Sequence, residues 1–574
     1  MAEHFSSLVY PFEYRIPTRD GKHDLRHWGD RWRPWWQDRP DSPKDLRASS
    51  DAGRGDDVVT LLDDTFFFLP HIRRVLMPEV ANLPKGKPRH QLSAFLNQLA
   101  RESIDSPVLS ANDSVRLRVK ENVREEIKNL TLTQRSLKPG MPVLNASVKL
   151  NEIEVWFFPP NLGFLTLHIQ VVDVDESTPS VRDLCETLSC LRWIHGANST
   201  WILPEWSIKG DTSQSSLSFR SEDLVDFLLQ EAFPVTDKPE APLPLATCIT
   251  SIRASQQKGN AAISRGATVS EFGQTHGEIF LLFTWAALQP ASQLASDSIG
   301  SGIFKSSDEK WLWELANFAN SARPESEPHP QGLARWRETE VYAEWQNWQG
   351  SIGPGHVVFL GVKTDDWIAH TFPSIVRHDY YPLYMLAVMQ RMRLHQILPE
   401  SQAERHGPAA SLGEMQELWD EFVAFENKFW FTEVTGKPQG ERLYKLFQEA
   451  LGAQLLYEEL RRQIEDIKGQ LEQRFERRMN RLLRFIAYIG VPLGMLGDMF
   501  GHWLAAIDPF AKIGLPAFGA YAVNLVADSS RHPEASRFIS WLGFFGLLGL
   551  LCAFLMKRFP LKLRSARRQR QPRI

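Results

Sequence analysis

The C-terminal end of the chain restricts its fold more than any other part. Phe538 to Met556 reads FISWLGFFGLLGLLCAFLM, nineteen residues without a charge. As a helix rising 1.5 Å per residue it spans about 30 Å, the thickness of a bilayer's hydrocarbon core. A transmembrane helix is expected at 538–556. Upstream, Phe485 to Ile507 reads FIAYIGVPLGMLGDMFGHWLAAI, with only Asp498 and His502 ionisable, and reads as an earlier span. Arg474, Arg477, Arg478, Arg481 and Arg484 precede it, and the tail 557–574 holds eight Lys and Arg and no acid. The outer loop 508–537 carries only Lys512, Arg531 and Arg537 as basic residues. Basic residues on both outer flanks predict two spans with both termini cytosolic, in an inner or plasma membrane. The charge-free run Ile513 to Ala527 is short for a span and reads as re-entrant or interfacial.

A long helical pattern leads into the first span. After the breaker GKPQG (436–440), it starts near Glu441 and has no evident stop. Its apolar seam runs Leu456, Leu460, Ile464, Ile467, Leu471, Phe475, Met479 and Leu482, in steps of three or four. That is a coiled-coil-like stripe. Continuous to Ile507, the helix would be roughly 100 Å long. The expectation is a stalk over 441–484 that enters the membrane and packs its stripe against other copies of the chain.

The rest is acidic. The net charge is −4, so the +8 of the tail leaves −12 on the remainder. An acidic body with a basic tail is a poor design for nucleic acid. The four cysteines form no CxxC pair, which argues against a disulfide framework or a structural zinc site. The start, MAEHFSSLVYPFEYR, has no basic segment followed by an apolar one, so no signal peptide is expected. Residues 1–60 read as a polar, partly disordered region, and 61–375 as a cytosolic α/β or α+β body. Within it, Asn151 to Phe158 and Phe164 to Val174 flank a PPNLG turn and read as a β-hairpin. Ser180 to Trp193 has helical spacing; Gly277 to Leu288 and His356 to Val362 read as strands. Ser306 and Glu309 form a capping box before WLWELANF. The stretches 208–220, 251–275 and 321–332 read as loops. From 376 to 440 the pattern is helical, with two amphipathic helices starting near Tyr380 and Leu412.

This layout resembles the CorA-type magnesium and divalent-cation transporters: an α/β cytosolic body, a stalk helix running into the first of two spans, a short outer loop and a basic tail. That family has a Pro in its first span and, nine residues later, the Gly of a Tyr-Gly-Met-Asn motif. Here Pro492 precedes Gly501 by nine, within Phe500-Gly501-His502-Trp503. The likeness covers roughly 440–565. It implies a homo-oligomer, a pentamer, in a lipid bilayer, with no enzymatic role and with a cytosolic part that senses a metal or another ligand. It also implies pore-lining positions: Asp498 falls on a pore-side glycine of the family, Leu483 on its hydrophobic constriction, and Asn480 lies just inward. The Met and Asn of the motif are replaced by His502 and Trp503. Trp supplies no amide oxygen for a hydrated cation, so conduction of another ion, or a leak, stays open beside magnesium.

The residues of the first span carry their own chemistry. Gly490, Gly494, Gly497 and Gly501 recur at steps of four, three and four. Such a stripe either packs helices closely in lipid or lines a pore, with Gly494 and Gly501 on its face. Asp498 adjoins it. A charge at mid-span costs about 2.5–3.5 kcal/mol on insertion scales, so it faces a cavity or a partner. One per copy makes an acidic ring; the alternative is a protonated or salt-bridged Asp498. His502, one turn out, is a ligand for a softer metal such as zinc, nickel or cobalt, or an interfacial histidine. No GxxxxGK[ST], GxSxG, HExxH or GxGxxG occurs. His23, Asp24 and His27 have metal-like spacing but read as a surface helix; Trp28, Trp32, Trp35 and Trp36 read as amphipathic packing, with stacking on a ligand as the alternative. A second reading is a membrane-anchored sensor or effector whose body binds a cytosolic ligand and depolarises the membrane.

Overall fold

The computed structural model describes residues 3–15, 18–19, 22–24, 32–34, 67–76, 108–110, 114–119, 129–136, 145–159, 161–172, 180–191, 202–208, 217–219, 225, 228, 268–271, 280–288, 303–319, 327–362, 367–406, 412–485 and 487–488. The chain divides into two compact units, 1–472 and 473–574.

The first unit is built on a mixed sheet. Its strands are β1 (Glu3–Arg15), β4 (Trp32–Pro34), β6 (Val115–Val119), β7 (Asn129–Ser136), β8 (Asn145–Phe158), β9 (Leu162–Val172), β10 (Ile202–Ile208), β11 (Leu217–Phe219), β12 (Thr268–Glu271), β13 (Leu281–Ala287), β14 (Val341–Tyr342), β15 (Trp348–Gly353) and β16 (His356–Gly361). The order is β11-β10-β7-β8-β9-β1-β13-β16-β15-β14; β12 joins β1, β6 joins β8 and β4 joins β6. Among the described residues only β13 and β16 pair in parallel; the other pairs are antiparallel. A small separate sheet joins β2 (Thr18–Arg19), β3 (Lys22–Asp24) and β5 (Val108–Ser110).

The expected hairpin is β8–β9, and the strands expected near 281 and 356 are β13 and β16. Two expectations for the N-terminal region fail. The first residues are not part of a polar tail: β1 is a buried strand between β9 and β13, with Leu8, Val9 and Phe12 fully buried. Pro11 would be foreign to a central strand because it lacks an N–H. Here it falls in a gap, since β13 pairs with residues 3–9 and β12 with residues 12–15. His23 and Asp24 lie on a strand rather than a surface helix, with His23 opposite Leu109. The stretches read as loops at 208–220, 251–275 and 321–332 contain β11, β12 and the start of a helix.

Strand alternation sends side chains to two faces, and a core lies on each. On one face Leu8, Val155, Phe157, Leu165, Leu167 and Leu360 meet helices α2 (Val181–Leu191), α3 (Ser307–Asn317) and α4 (Pro330–Thr339). Helix α2 forms as its spacing predicts. Asp183 and Ser180 cap its start, and Leu184, Leu188 and Leu191 are fully buried, each worth about 1.5–3 kcal/mol. Leu188→Ala would break that contact at a cost of about 2–5 kcal/mol. Cys185, on the same helix, is buried and free. In α3, Ser306 accepts from the Glu309 N–H at 3.1 Å and the Glu309 carboxylate accepts from the Lys305 N–H at 2.5 Å. The capping box is therefore shifted by one residue from the usual reciprocal pair.

On the other face Trp156, Phe164, Phe283, Trp285 and Phe359 meet α1 (Pro70–Leu76), α5 (Tyr381–His406), α6 (Leu412–Phe429), α7 (Pro438–Ala450) and the start of α8 (Ala453–Phe485). Helix α5 is not amphipathic as expected: residues 379–390 are buried on every side, because sheet and helices enclose it. It is entered through 367–380, where π-helical turns at Trp367–Thr371 and Val376–Tyr380 flank one α turn.

The unbroken helix expected from 441 is two helices. Helix α7 opens with Pro438 in its first turn, where a missing N–H costs nothing. It ends at Leu451, and Gly452 turns the chain at φ +70°. That left-handed conformation suits glycine and disfavours any residue with a Cβ. Helix α8 then runs 33 residues, about 50 Å. Among the described residues no helix is long and apolar enough to cross a membrane. The expected spans 485–507 and 538–556 lie outside the described residues apart from the first few positions of 485–507, as do 513–527 and the tail.

Candidate functional site

A buried charged island sits between the sheet and helix α5. It starts from two complementary strand patterns, Arg-Leu-Arg on β6 and Glu-Ile-Glu on β8. A β-bulge at Asn151 sets their facing: Leu150 and Ile153, three apart, both enter the core beneath α2–α4. Glu152 and Glu154 are thereby sent to the opposite face. On β9, Thr166 lies opposite Glu154 and His168 opposite Glu152. Arg118 pairs across from Glu154, and Arg116 from Trp156. Arg377, from the second π turn, and Tyr381, from α5, close the island from above.

Every carboxylate oxygen in it has a cationic partner. The Arg116 guanidinium grips Glu154 through Nε–Oε2 at 3.0 Å and Nη2–Oε1 at 2.8 Å, and lies 4.2 Å over the Trp156 ring. Glu152 is held by Arg118 through one oxygen and by Arg377 through the other. His168 Nε2 stands 3.4 Å from Glu154, and its Nδ1 is 2.8 Å from the Ser7 hydroxyl. Tyr381 and Thr166 share a hydrogen bond of 2.8 Å. Burial, the largest single influence, would raise the Glu154 carboxyl, but the Arg116 guanidinium and the His168 ring together outweigh it and hold the group well below the usual carboxylate range. Burial also opposes ionisation of Glu152, and Arg377 is the largest influence in the other direction; the net shift is downward. Burial pushes the Tyr381 phenol upward, with the Glu154 charge adding to it.

Glu152, Glu154 and His168 are the one group among the described residues with donor atoms close enough for a metal, within 4.8 Å of one another. Their chemistry does not suit one. Three guanidiniums already balance two carboxylates with a charge to spare, and a divalent ion would have to displace them from a buried site. The island is an ion-pair lock between sheet and helix layer.

A second feature is a cleft of about 310 Å³ between α3 and α4, lined by Trp313, Asn317, His329, Arg335, Trp336 and Glu340. Its polar wall continues inward: the Trp336 N–H donates to Ser351 at 3.1 Å, and His356 Nε2 lies 3.7 Å from Glu340. Burial raises the Glu340 carboxyl, opposed by Arg335. A volume near 300 Å³ with aromatic walls is at the lower end of what a small ligand needs.

Helix α8 carries the expected seam in two states. Ala453, Tyr457, Leu460, Ile464 and Ile467 are buried against the body, so this part of the seam does not await other copies. Tyr457 stacks on Trp430 at 4.0 Å. From Phe475 on, the seam is bare: Phe475 is 59% exposed, Met479 42% and Leu482 55%. Of the pore-lining positions, Leu483 is exposed at the edge of this stripe, and Asn480 is exposed about 140° around the helix from Phe475. Gly494, Asp498, Gly501 and His502 lie outside the described residues.

Periodicity did not reveal the island, because its charges alternate with apolar residues as on any half-solvated strand. The available signal was the matched Arg-x-Arg and Glu-x-Glu on separate strands. Comparison with family models, with curated proteins and with solved structures finds no match for this chain.

Proposed function

We propose that the chain is one subunit of a CorA-like homo-oligomeric membrane channel or transporter for metal cations, with the α/β body as its cytosolic sensor. One observation carries this reading: the change of the α8 seam from buried to exposed within a single helix. Phe475, Met479 and Leu482 repeat at steps of four and three and are exposed. A bare coiled-coil stripe is normally closed by other helices. It is followed directly by the apolar run 485–507. On this reading Asp498 supplies an acidic ring, Gly494 and Gly501 give the pore width, Leu483 narrows its inner end beside Asn480, and His502 binds the softer metals at the outer mouth. Magnesium or a softer divalent ion is the cargo.

The test uses the full chain in liposomes. Metal flux in the wild type, reduced at least tenfold by Asp498→Asn, supports the channel; flux unchanged by that variant removes the pore assignment. Particle images with rotational symmetry support the oligomer, and a monomeric particle refutes it. The second reading, a membrane-anchored sensor that depolarises the membrane on binding a cytosolic ligand, is favoured by the cleft between α3 and α4. It predicts ligand-triggered depolarisation that Asp498→Asn leaves intact and Trp336→Ala abolishes.

A further inference from the structure

The exposed end of α8 has a second face. At about 100° per residue, Phe475, Met479, Leu482 and Leu483 fall on one arc of the helix, Arg477, Arg481 and Arg484 fall on the opposite side, and Arg478 borders the apolar arc about 40° from Leu482. All four arginines are exposed. Among the described residues none of them forms an ion pair, and no acid stands three or four positions away on either side. Instead they neighbour one another at those spacings (477–481, 478–481, 481–484), which destabilises a helix. Two turns of mutually repelling guanidiniums gain stability only from an anion. Planar guanidiniums are suited to phosphate, which they hold through two hydrogen bonds at once. The apolar run beginning at 485 states where such phosphates would be: at the surface of a bilayer. The acidic balance of the remaining chain disfavours nucleic acid as the anion.

We propose that Arg477, Arg478, Arg481 and Arg484 form a collar that binds the phosphate headgroups of anionic lipids, with the apolar arc turned to neighbouring subunits. The inference rests on the membrane-assembly reading above and adds a ligand to it. Each arginine near an anionic surface is worth about a fivefold change in affinity. The four together should exceed a hundredfold.

The experiment uses the full chain, purified in a detergent with a neutral headgroup and stripped of lipid. Phosphatidylglycerol, phosphatidylcholine, inorganic phosphate and a short DNA duplex are titrated, and bound lipid is read by native mass spectrometry. The wild type should bind phosphatidylglycerol and not phosphatidylcholine. The quadruple variant R477Q/R478Q/R481Q/R484Q should lose at least a hundredfold in affinity. The all-lysine counterpart, which keeps the charge but loses the paired hydrogen bonds, should bind more tightly than the glutamine variant and less tightly than the wild type, and guards against misfolding as the cause. Equal binding by the quadruple glutamine variant, equal binding of phosphatidylcholine, full displacement by millimolar inorganic phosphate, or a preference for DNA would each overturn the collar. Flux and particle symmetry are measured on the same preparations. A conducting oligomer whose lipid binding ignores the arginines refutes the collar and leaves the channel. Arginine-dependent lipid binding by a particle that conducts nothing refutes the channel and leaves the collar.

Discussion

Glu154→Gln tests whether the island is an ion-pair lock. The Arg116 and Glu154 side chains are 5% and 2% exposed, so neither can turn to water when its partner changes. Glutamine keeps the shape of glutamate but removes its charge and replaces one acceptor oxygen with a donor. The Arg116 guanidinium is then buried against a group that cannot neutralise it. Breaking one side of a buried pair costs about 3–5 kcal/mol. For a body of this size each kcal/mol moves the midpoint by about 2 °C, so the melt should fall by roughly 6–10 °C. The assay is thermal unfolding followed by tryptophan fluorescence, since Trp156 lies under Arg116. The double variant R116M/E154M removes both charges and should recover most of the loss, within about 2 kcal/mol of wild type. Two results refute the reasoning: a Gln variant that melts within 2 °C of wild type by the same ~2 °C per kcal/mol scale, or a double variant no better than the single.

The other predictions follow from single features. EDTA should leave the melting temperature of the body unchanged, and added zinc should give no stabilisation that depends on His168; a zinc-induced rise abolished by His168→Ala would reverse the lock reading. Burial pushes the His4 imidazole down to about 4 from 6.5, and its Nε2 accepts from the Val171 N–H at 3.0 Å. Stability from that neutral imidazole is complete above pH 6.5 and is lost as pH falls toward 4, so His4→Gln should flatten the melting curve against pH across that window. The lowered Glu152 and Glu154 carboxyls contribute stability that is complete above 4.5 and is lost only as pH falls below it; Arg116→Gln should remove the Glu154 share of that acid limb and leave the Glu152 share and the His4 limb in place. Gly452→Ala should cost about 1 kcal/mol from backbone strain alone, because nothing lies within 4 Å of a Cβ there; a neutral result in chemical denaturation would show that the turn relaxes.

The sequence carried the β8–β9 hairpin, helix α2 and the capping of α3 in plain form. Each depends on near neighbours in the chain: alternation about a Pro-Asn-Gly turn, apolar residues three and four apart, and a serine three before a glutamate. What it hid depends on distant neighbours. Strand β1 carries Ser6, Ser7 and Pro11, which look wrong for a sheet centre until the gap between β13 and β12 is known. Glu152 and Glu154 look solvated until α5 covers them and β6 supplies guanidiniums. The end of α7 is a case where a local signal was present and outweighed: Gly452 is a good helix terminator, but the apolar steps continue across it and mimic an unbroken helix. Helix α5 shows the opposite error, since burial on all sides erases the polar face that periodicity relies on.

The placement of the arginines bears directly on cation conduction. A ring of guanidiniums lining the inner mouth would oppose cations, and the sequence alone leaves that objection standing. Helical geometry answers it for part of the cluster on the proposed assembly. If subunits meet along Phe475, Met479 and Leu482, then Arg477, Arg481 and Arg484 lie on the far side of α8, whose diameter with side chains is about 10–12 Å, and Arg478 flanks the stripe about 40° from Leu482. Across 10 Å of water two unit charges interact by only about 0.4 kcal/mol, and that distance is about one Debye length at 0.1 M salt. Arg481, about 100° from both Leu482 and Asn480, then acts on lipid with little effect on an ion at the axis, whereas Arg484 stands about 40° from the pore-side Asn480. Raising salt should therefore weaken phosphatidylglycerol binding steeply while changing flux little. A flux that rises severalfold in the quadruple glutamine variant at low salt would place the arginines on the conduction path and turn the apolar arc outward.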